Sequence, residues 1–215
     1  MSKLFTLENA LEKIIKDELV EIYFQPIVSI RTKKIYAYEA LTRCTYRGEN
    51  INPQKLFNLA IKKGLVLELD LLTRKKAIEK FYDYYLIDND LMLFLNFEST
   101  SINSFDLNDN KYCFSKIINH LGIPNENFML EIKEDEINNL ESLKTFCNFY
   151  KKLGFSIALD DFGTGNSAFD RIDLIKPNLI KIDKSLFVDI KNNKVNNEIV
   201  KSIANMCKNI GTEIL

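Results

Sequence analysis

The 215-residue chain carries 29 basic and 30 acidic side chains, a net charge of −1, and is 46% hydrophobic. It is long enough for one large domain and apolar enough for a substantial core, and its near-neutral balance argues against a duplex nucleic-acid binder, which presents a basic domain. No apolar run approaches the roughly 20 residues of a membrane span, and the acidic stretch MSKLFTLENALEKIIKDE has no signal-peptide core, so a cytoplasmic protein is expected.

In chain order, a helix is predicted near residues 6–18. Two apolar runs follow, EIYFQPIV (21–28) and IYAYEALT (35–42), read as strands. Only SIRTKK separates them. A parallel crossover needs about a dozen residues or more, so this pair is expected to be an antiparallel hairpin, with the first helix covering one end of the sheet. Next, Leu67, Leu71, Ile78, Phe81 and Tyr85 fall at helical spacing. Strands are then predicted at LMLFLNF (91–97), NFMLEI (127–132), FSIALD (155–160) and LIKID (179–183), several of them apolar on both faces. Helices are predicted around 139–153, ending at Gly154, and near 196–210. The latter has Ile199, Ile203, Met206 and Ile210 on one face and Gly211 as its stop. The alternation of strand and helix predicts that everything after the second strand runs parallel.

Cys44, Cys113, Cys147 and Cys207 are scattered and read as buried, reduced thiols. His120 is the single histidine and sits before Gly122, at a helix end where a cation is favoured. Its solitude argues against a zinc site and a Ser-His-Asp triad. Any metal must be held by oxygens, which points to Mg²⁺, Mn²⁺ or Ca²⁺.

The polar residues fall at the ends of the apolar runs: Glu39, Asn96, Glu131, then the adjacent Asp160 and Asp161 in ALDDFGTG, and Lys181 within LIKID. In a (β/α) barrel such ends converge on one mouth. Four carboxylates gathered there would repel one another, and two divalent ions about 4 Å apart would cancel that charge and suit phosphoester hydrolysis. Lys181 would steady the attacking water or the charge developing at phosphorus. Taken singly, several of these residues have plainer readings. Asp161 suits a turn, Gln25 a strand end, Arg43 an ion pair with a carboxylate, and Asp183 with Lys184 a surface pair.

QPI (25–27), EALTR (39–43), LNF (95–97), LEIKE (130–134), ALDDFGTG (158–165) and KPNLIKIDKSL (176–186) together resemble the EAL-domain cyclic di-GMP phosphodiesterases. The resemblance runs from about Glu21 to Leu215. It implies a modified (β/α)8 TIM-type barrel with one antiparallel strand, one domain over residues 1–215, and hydrolysis of cyclic di-GMP to linear pGpG with Mg²⁺ or Mn²⁺, two ions being expected. By matching positions it implies Glu39, Asn96, Glu131 and Asp160 as metal ligands, with Asp161 serving the second metal. Lys181 would stand beside the attacking water, Gln25 and Arg43 would contact substrate, and Glu134 would hold the loop after Asp161.

The chain departs from the family at Lys133 and Asn166, where a small hydroxyl residue and Tyr are usual, and at Glu98. GTEIL looks like the start of the seventh barrel strand. The barrel is therefore expected to be truncated in or near strand seven, with little or no catalysis if these 215 residues are the whole molecule. A non-catalytic cyclic di-GMP-binding or protein-interaction module stays open beside the enzyme, as does a sugar-phosphate barrel enzyme. A homodimer is a further open expectation.

Overall fold

In a computed structural model of the chain, the structure describes residues 7–103, 105, 114–133, 139–163 and 168–215. The described residues form two compact units, each with its own strands and helices. One unit holds the described residues up to Leu95 and those of Phe114–Phe128. The other holds those from Asn96 to Phe105 and from Met129 to Leu215.

In the first unit, helix α1 (Leu7–Lys16) buries Ala10, Leu11 and Ile14 at helical spacing. The hairpin is present: β1 (Val20–Val28) pairs antiparallel with β2 (Ile35–Tyr46). Its even-numbered residues Val20, Ile22 and Cys44 are buried, whereas Glu21, Tyr23 and Arg43, on the opposite face, are exposed. The strands β1 and β2 are locked to helix α3 (Val66–Ile87) through Phe24, Tyr38, Phe81 and Tyr84, whose rings lie 5.0–6.5 Å apart edge-on or tilted. Lys80 on α3 donates to the Ile22 carbonyl at 2.5 Å.

The expectation that every strand after the second runs parallel is corrected here. A short strand, β3 (Glu49–Ile51), folds back antiparallel on the end of β2, pairing Cys44 with Ile51 and Tyr46 with Glu49. The turn is made by Arg47 and Gly48, at φ 53° and 82°. Two consecutive residues at positive φ suit a tight hairpin of this hand. Helix α2 (Pro53–Lys63) follows at once, with the Asn52 side chain accepting from Lys55 N at 3.1 Å and Pro53 in the first turn. Strand β4 (Met92–Phe97) then joins β2 in parallel, setting Ala37 against Met92 and Glu39 against Phe94, and the short helices α4 (Ser99–Asn103) and α5 (Ser115–Leu121) come after it in the chain.

The second unit is the repeating part. Strand β5 (Phe128–Lys133), helix α6 (Leu140–Lys152), strand β6 (Ser156–Phe162), helix α7 (Ala168–Ile175), strand β7 (Leu179–Ile182), helix α8 (Lys194–Ile210) and strand β8 (Glu213–Ile214) follow in order. Strands β5 to β8 pair in parallel, each with the next. Their crossovers are helical, as parallel neighbours require. The core of this unit is aromatic: Phe97 and Phe105 pack on Phe146 at 5.0 and 5.2 Å, and Tyr150 lies 5.4 Å from Phe155. Lys151 on α6 donates to the carbonyls of Ile175 and Lys176, satisfying the end of α7. Of the apolar face expected on α8, Ile203 is buried and Met206 half-buried, while Ile199 and Ile210 are exposed. Among the described residues no helix is long and apolar enough to cross a membrane.

Candidate functional site

The second unit brings three of the expected residues into contact. Glu131 is the fourth residue of β5, a strand buried almost end to end, and is itself only 1% exposed. β5 and β6 pair so that Glu131 stands beside Ala158 and Lys133 beside Asp160. Lys181 comes from β7, the next strand over. Its ammonium lies 2.5 Å from Glu131 Oε1 and 3.2 Å from Asp160 Oδ1. Burying a carboxylate to this extent is costly without a cation or hydrogen bonds, and Lys181 is the cation provided. The alternation of Lys181 with Ile180 and Ile182 has its reason here: the lysine is turned onto two carboxylates.

The paired aspartates do not lie where the strand stops, because β6 continues to Phe162. Instead the strand is irregular at this point. Its pairing with β7 shifts between Leu159 and Phe162, and Asp161 adopts a left-handed backbone at φ 57°. A non-glycine residue in that conformation is uncommon, and the bulge re-aims its side chain relative to a regular strand. Asp161 thus comes into the field of Asp160 and of Lys181, the lysine that also contacts Asp160. Burial raises the pKa of Asp161 most, and the adjacent Asp160 raises it further. Lys133 and Lys181 pull it back, and Asp183 adds to the rise.

Lys133, one of the family departures, thus stands in the field of the acidic group. Asp183, read from sequence as one half of a surface pair, is a cap. Its side chain accepts from Ser185 N at 2.8 Å, and its backbone N–H donates to the Phe162 carbonyl at 3.1 Å. Hydrogen bonds from the Ser185 side chain and backbone hold its carboxyl below the usual range. The Asp-Lys-Ser order around residue 183 was the available signal for that turn.

Gly163, immediately after β6, is packed closely. Gly163 has φ 103°, and a Cβ there would come within 2.6 Å of Leu186 Cδ1. Gly163→Ala is expected to cost about 1–3 kcal/mol, mostly as backbone strain, since the Leu186 side chain can turn away. A urea melt measures it, and a change below about 0.5 kcal/mol would show that alanine accepts this backbone.

In the first unit, Gln25 and Glu39 face each other across the hairpin, so both lie on one face of the sheet, with Arg43 two alternations further along β2. Gln25 and Arg43 are exposed, and Glu39 is half-buried. The Arg43 guanidinium sits 5.7 Å over the Tyr23 ring and donates to the Thr42 carbonyl at 2.8 Å, on the wall of a cleft of about 470 Å³. Asn96, near the end of β4, is exposed, and Phe97 beside it is anchored in the aromatic core. Glu134, Gly165, Asn166 and Cys113 lie outside the described residues. The other three cysteines are buried, and burial pushes the Cys147 thiol up to about 12, which removes it from nucleophilic chemistry.

Among the described residues, no group of three or more His, Cys, Asp or Glu side chains stands in metal-holding geometry. The chemistry of the donors nevertheless fits a hard divalent cation. Every candidate ligand in the second unit offers an oxygen, the Asn96 amide or a carboxylate of Glu131, Asp160 or Asp161, and a positive charge already stands between Glu131 and Asp160.

The sequence pattern of the EAL domain matches residues 8–215. The chain is 30% identical over 195 residues to the cyclic di-GMP phosphodiesterase PdeA of Borreliella burgdorferi, covering 89% of this chain and 28% of that protein. It spans less than half the length of the curated relatives it matches. Its fold superposes on a PaMucR phosphodiesterase solved with c-di-GMP at a TM-score of 0.85 and 18% identity, over 98% of this chain and 85% of that one. It also superposes on Klebsiella pneumoniae BlrP1, solved with manganese and cy-diGMP, at 0.79 and 22% identity, over 91% and 48%. The fold is thus that of the modified (β/α)8 barrels.

Proposed function

Because this chain belongs to the EAL domain family, we propose that it hydrolyses cyclic di-GMP to linear pGpG with Mg²⁺ or Mn²⁺. One observation carries the reading: Lys181 joined to the buried Glu131 and to Asp160, with Asp161 turned into the same group by a bulge. A purely structural strand has no need of a 1% exposed carboxylate held by a lysine from two strands away. PdeA is named a cyclic di-GMP phosphodiesterase, and BlrP1 was solved with manganese, which supports the same chemistry.

In this reading Glu39, Asn96, Glu131, Asp160 and Asp161 are the oxygen ligands by motif, and two ions are the expected number. When bound, divalent ions supply Lewis acidity, lowering the pKa of water and offsetting phosphate charge. The chain's own residues do the rest. Lys181 hydrogen-bonds the attacking water and holds Glu131 and Asp160 in place. Arg43 takes a phosphate by its planar fork. Gln25 contacts the substrate, and Glu134 steadies the loop after Asp161.

A second reading is a module that binds cyclic di-GMP without cleaving it. Lys133 favours that reading, because its charge opposes a cation at Asp161. One experiment separates the two: incubation with cyclic di-GMP and Mn²⁺, with and without chelator, following both nucleotide binding and pGpG. Turnover lost on chelation is expected. Binding without product would establish the module, and neither binding nor product would overturn both readings.

A further inference from the structure

We infer that Lys181 is a resident counter-cation for the acidic group, which a divalent ion must displace from Glu131 in order to bind. The inference rests on the proposed metal-dependent reading and adds what sets metal affinity in this chain.

The geometry is specific. Lys181 Nζ approaches Glu131 Oε1 at 2.5 Å and Asp160 Oδ1 at 3.2 Å, so it bridges two carboxylates from two different strands. Glu131 is 0% exposed at its side chain and Asp160 13%, while Lys181 is 14% exposed. The pair is therefore shielded from solvent, and its attraction is screened little by salt. A divalent cation needs the same Glu131 and Asp160 oxygens. An ammonium that close is a competitor for them, since lysine offers only donors and the ion needs only acceptors.

The lysine is also tethered at the middle of β7 by neighbours on both sides, Ile180 being buried. It cannot leave the site. It can only turn from Glu131 towards whatever anion enters. Metal loading then frees the ammonium to meet the water or phosphate that the proposed reaction requires. The same side chain would thus hold the acidic group together before loading and serve the reaction after it. Lys133, aligned with Asp160 across the β5–β6 pairing, adds a second positive charge near Asp161 and works in the same direction.

The test is Mn²⁺ binding by the whole chain without nucleotide, read from the loss of the free-ion electron paramagnetic resonance signal, together with thermal melts in chelator. The variants are Lys181→Met and, as a second that keeps hydrogen-bonding capacity, Lys181→Gln. The ammonium occupies the same Glu131 and Asp160 oxygens that the ion needs, so both variants, which lack this competitor, are expected to bind Mn²⁺ about tenfold tighter than wild type. In chelator both are expected to melt several degrees lower, because the buried Glu131 has lost its cation.

Equal or weaker Mn²⁺ binding by both variants, with wild type binding normally, overturns this inference and leaves the proposed function standing. An unchanged melting temperature in chelator overturns it too. Failure of wild type and both variants to bind Mn²⁺ overturns the metal-dependent reading along with it. Binding by the variants but not by wild type supports it in its strongest form.

Discussion

Glu131→Gln is expected to lower cyclic di-GMP hydrolysis by about 10²–10³-fold while leaving the protein folded. Glutamine has the same length and shape, so the packing of β5, buried on both faces, is kept. What changes is charge. The substitution removes the carboxylate that lies 2.5 Å from Lys181 and that is proposed as a metal ligand. The lysine keeps Asp160 at 3.2 Å, so no positive charge is stranded in the interior. The loss should therefore appear in turnover and not in folding. The initial rate of pGpG formation at saturating Mn²⁺, beside a thermal melt, measures both. A variant within a few-fold of wild type would take Glu131 out of the chemistry, and with it the observation on which the proposed function rests.

Arg74→Met is expected to have the largest effect on stability, a loss of about 3–5 kcal/mol. Arg74 and Asp70 lie one turn apart on α3 with Nη1 and Oδ2 2.6 Å apart, and both side chains are only 3% exposed. The guanidinium carbon also lies 5.7 Å over the Phe114 ring. On a helix surface such a pair is worth a few tenths of a kcal/mol, because water screens it. In the interior, deleting the arginine leaves the Asp70 charge without its main compensation. The paired substitution Asp70→Leu with Arg74→Met should recover most of the loss, since an apolar pair of similar volume removes both desolvation costs at once. Urea unfolding of the two single variants and the double variant measures this. A double variant no more stable than Arg74→Met would show that the charges themselves are required.

This pair marks a limit of the sequence. In LDLLTRKK nothing distinguishes Asp70 and Arg74 from an exposed i, i+4 pair. Burial is a property of what packs on the helix, and Phe114 reaches Arg74 from forty residues away. The strand β3 was missed for a related reason. Three residues of mixed polarity, Glu49–Ile51, carry no periodic signal, and only pairing with Cys44–Tyr46 makes them a strand. The face assigned to α8 was right only in part: helical spacing marks which residues share a side, but among the described residues Ile203 is buried while Ile199 and Ile210 stay exposed.

The amino-acid order alone determined the alternation of strands and helices, the antiparallel hairpin and the family. These depend on local periodicity, on a six-residue connection too short for a crossover, and on six motifs in order, all of which are written along the chain. Only the tertiary structure decided how Asp160 and Asp161 come to share neighbours. Adjacent residues of a regular strand point apart, so the answer lay in a bulge at φ 57° and in a lysine from the neighbouring strand. Backbone irregularity and contact between strands are set by pairing partners distant in sequence, and residue identity does not record them.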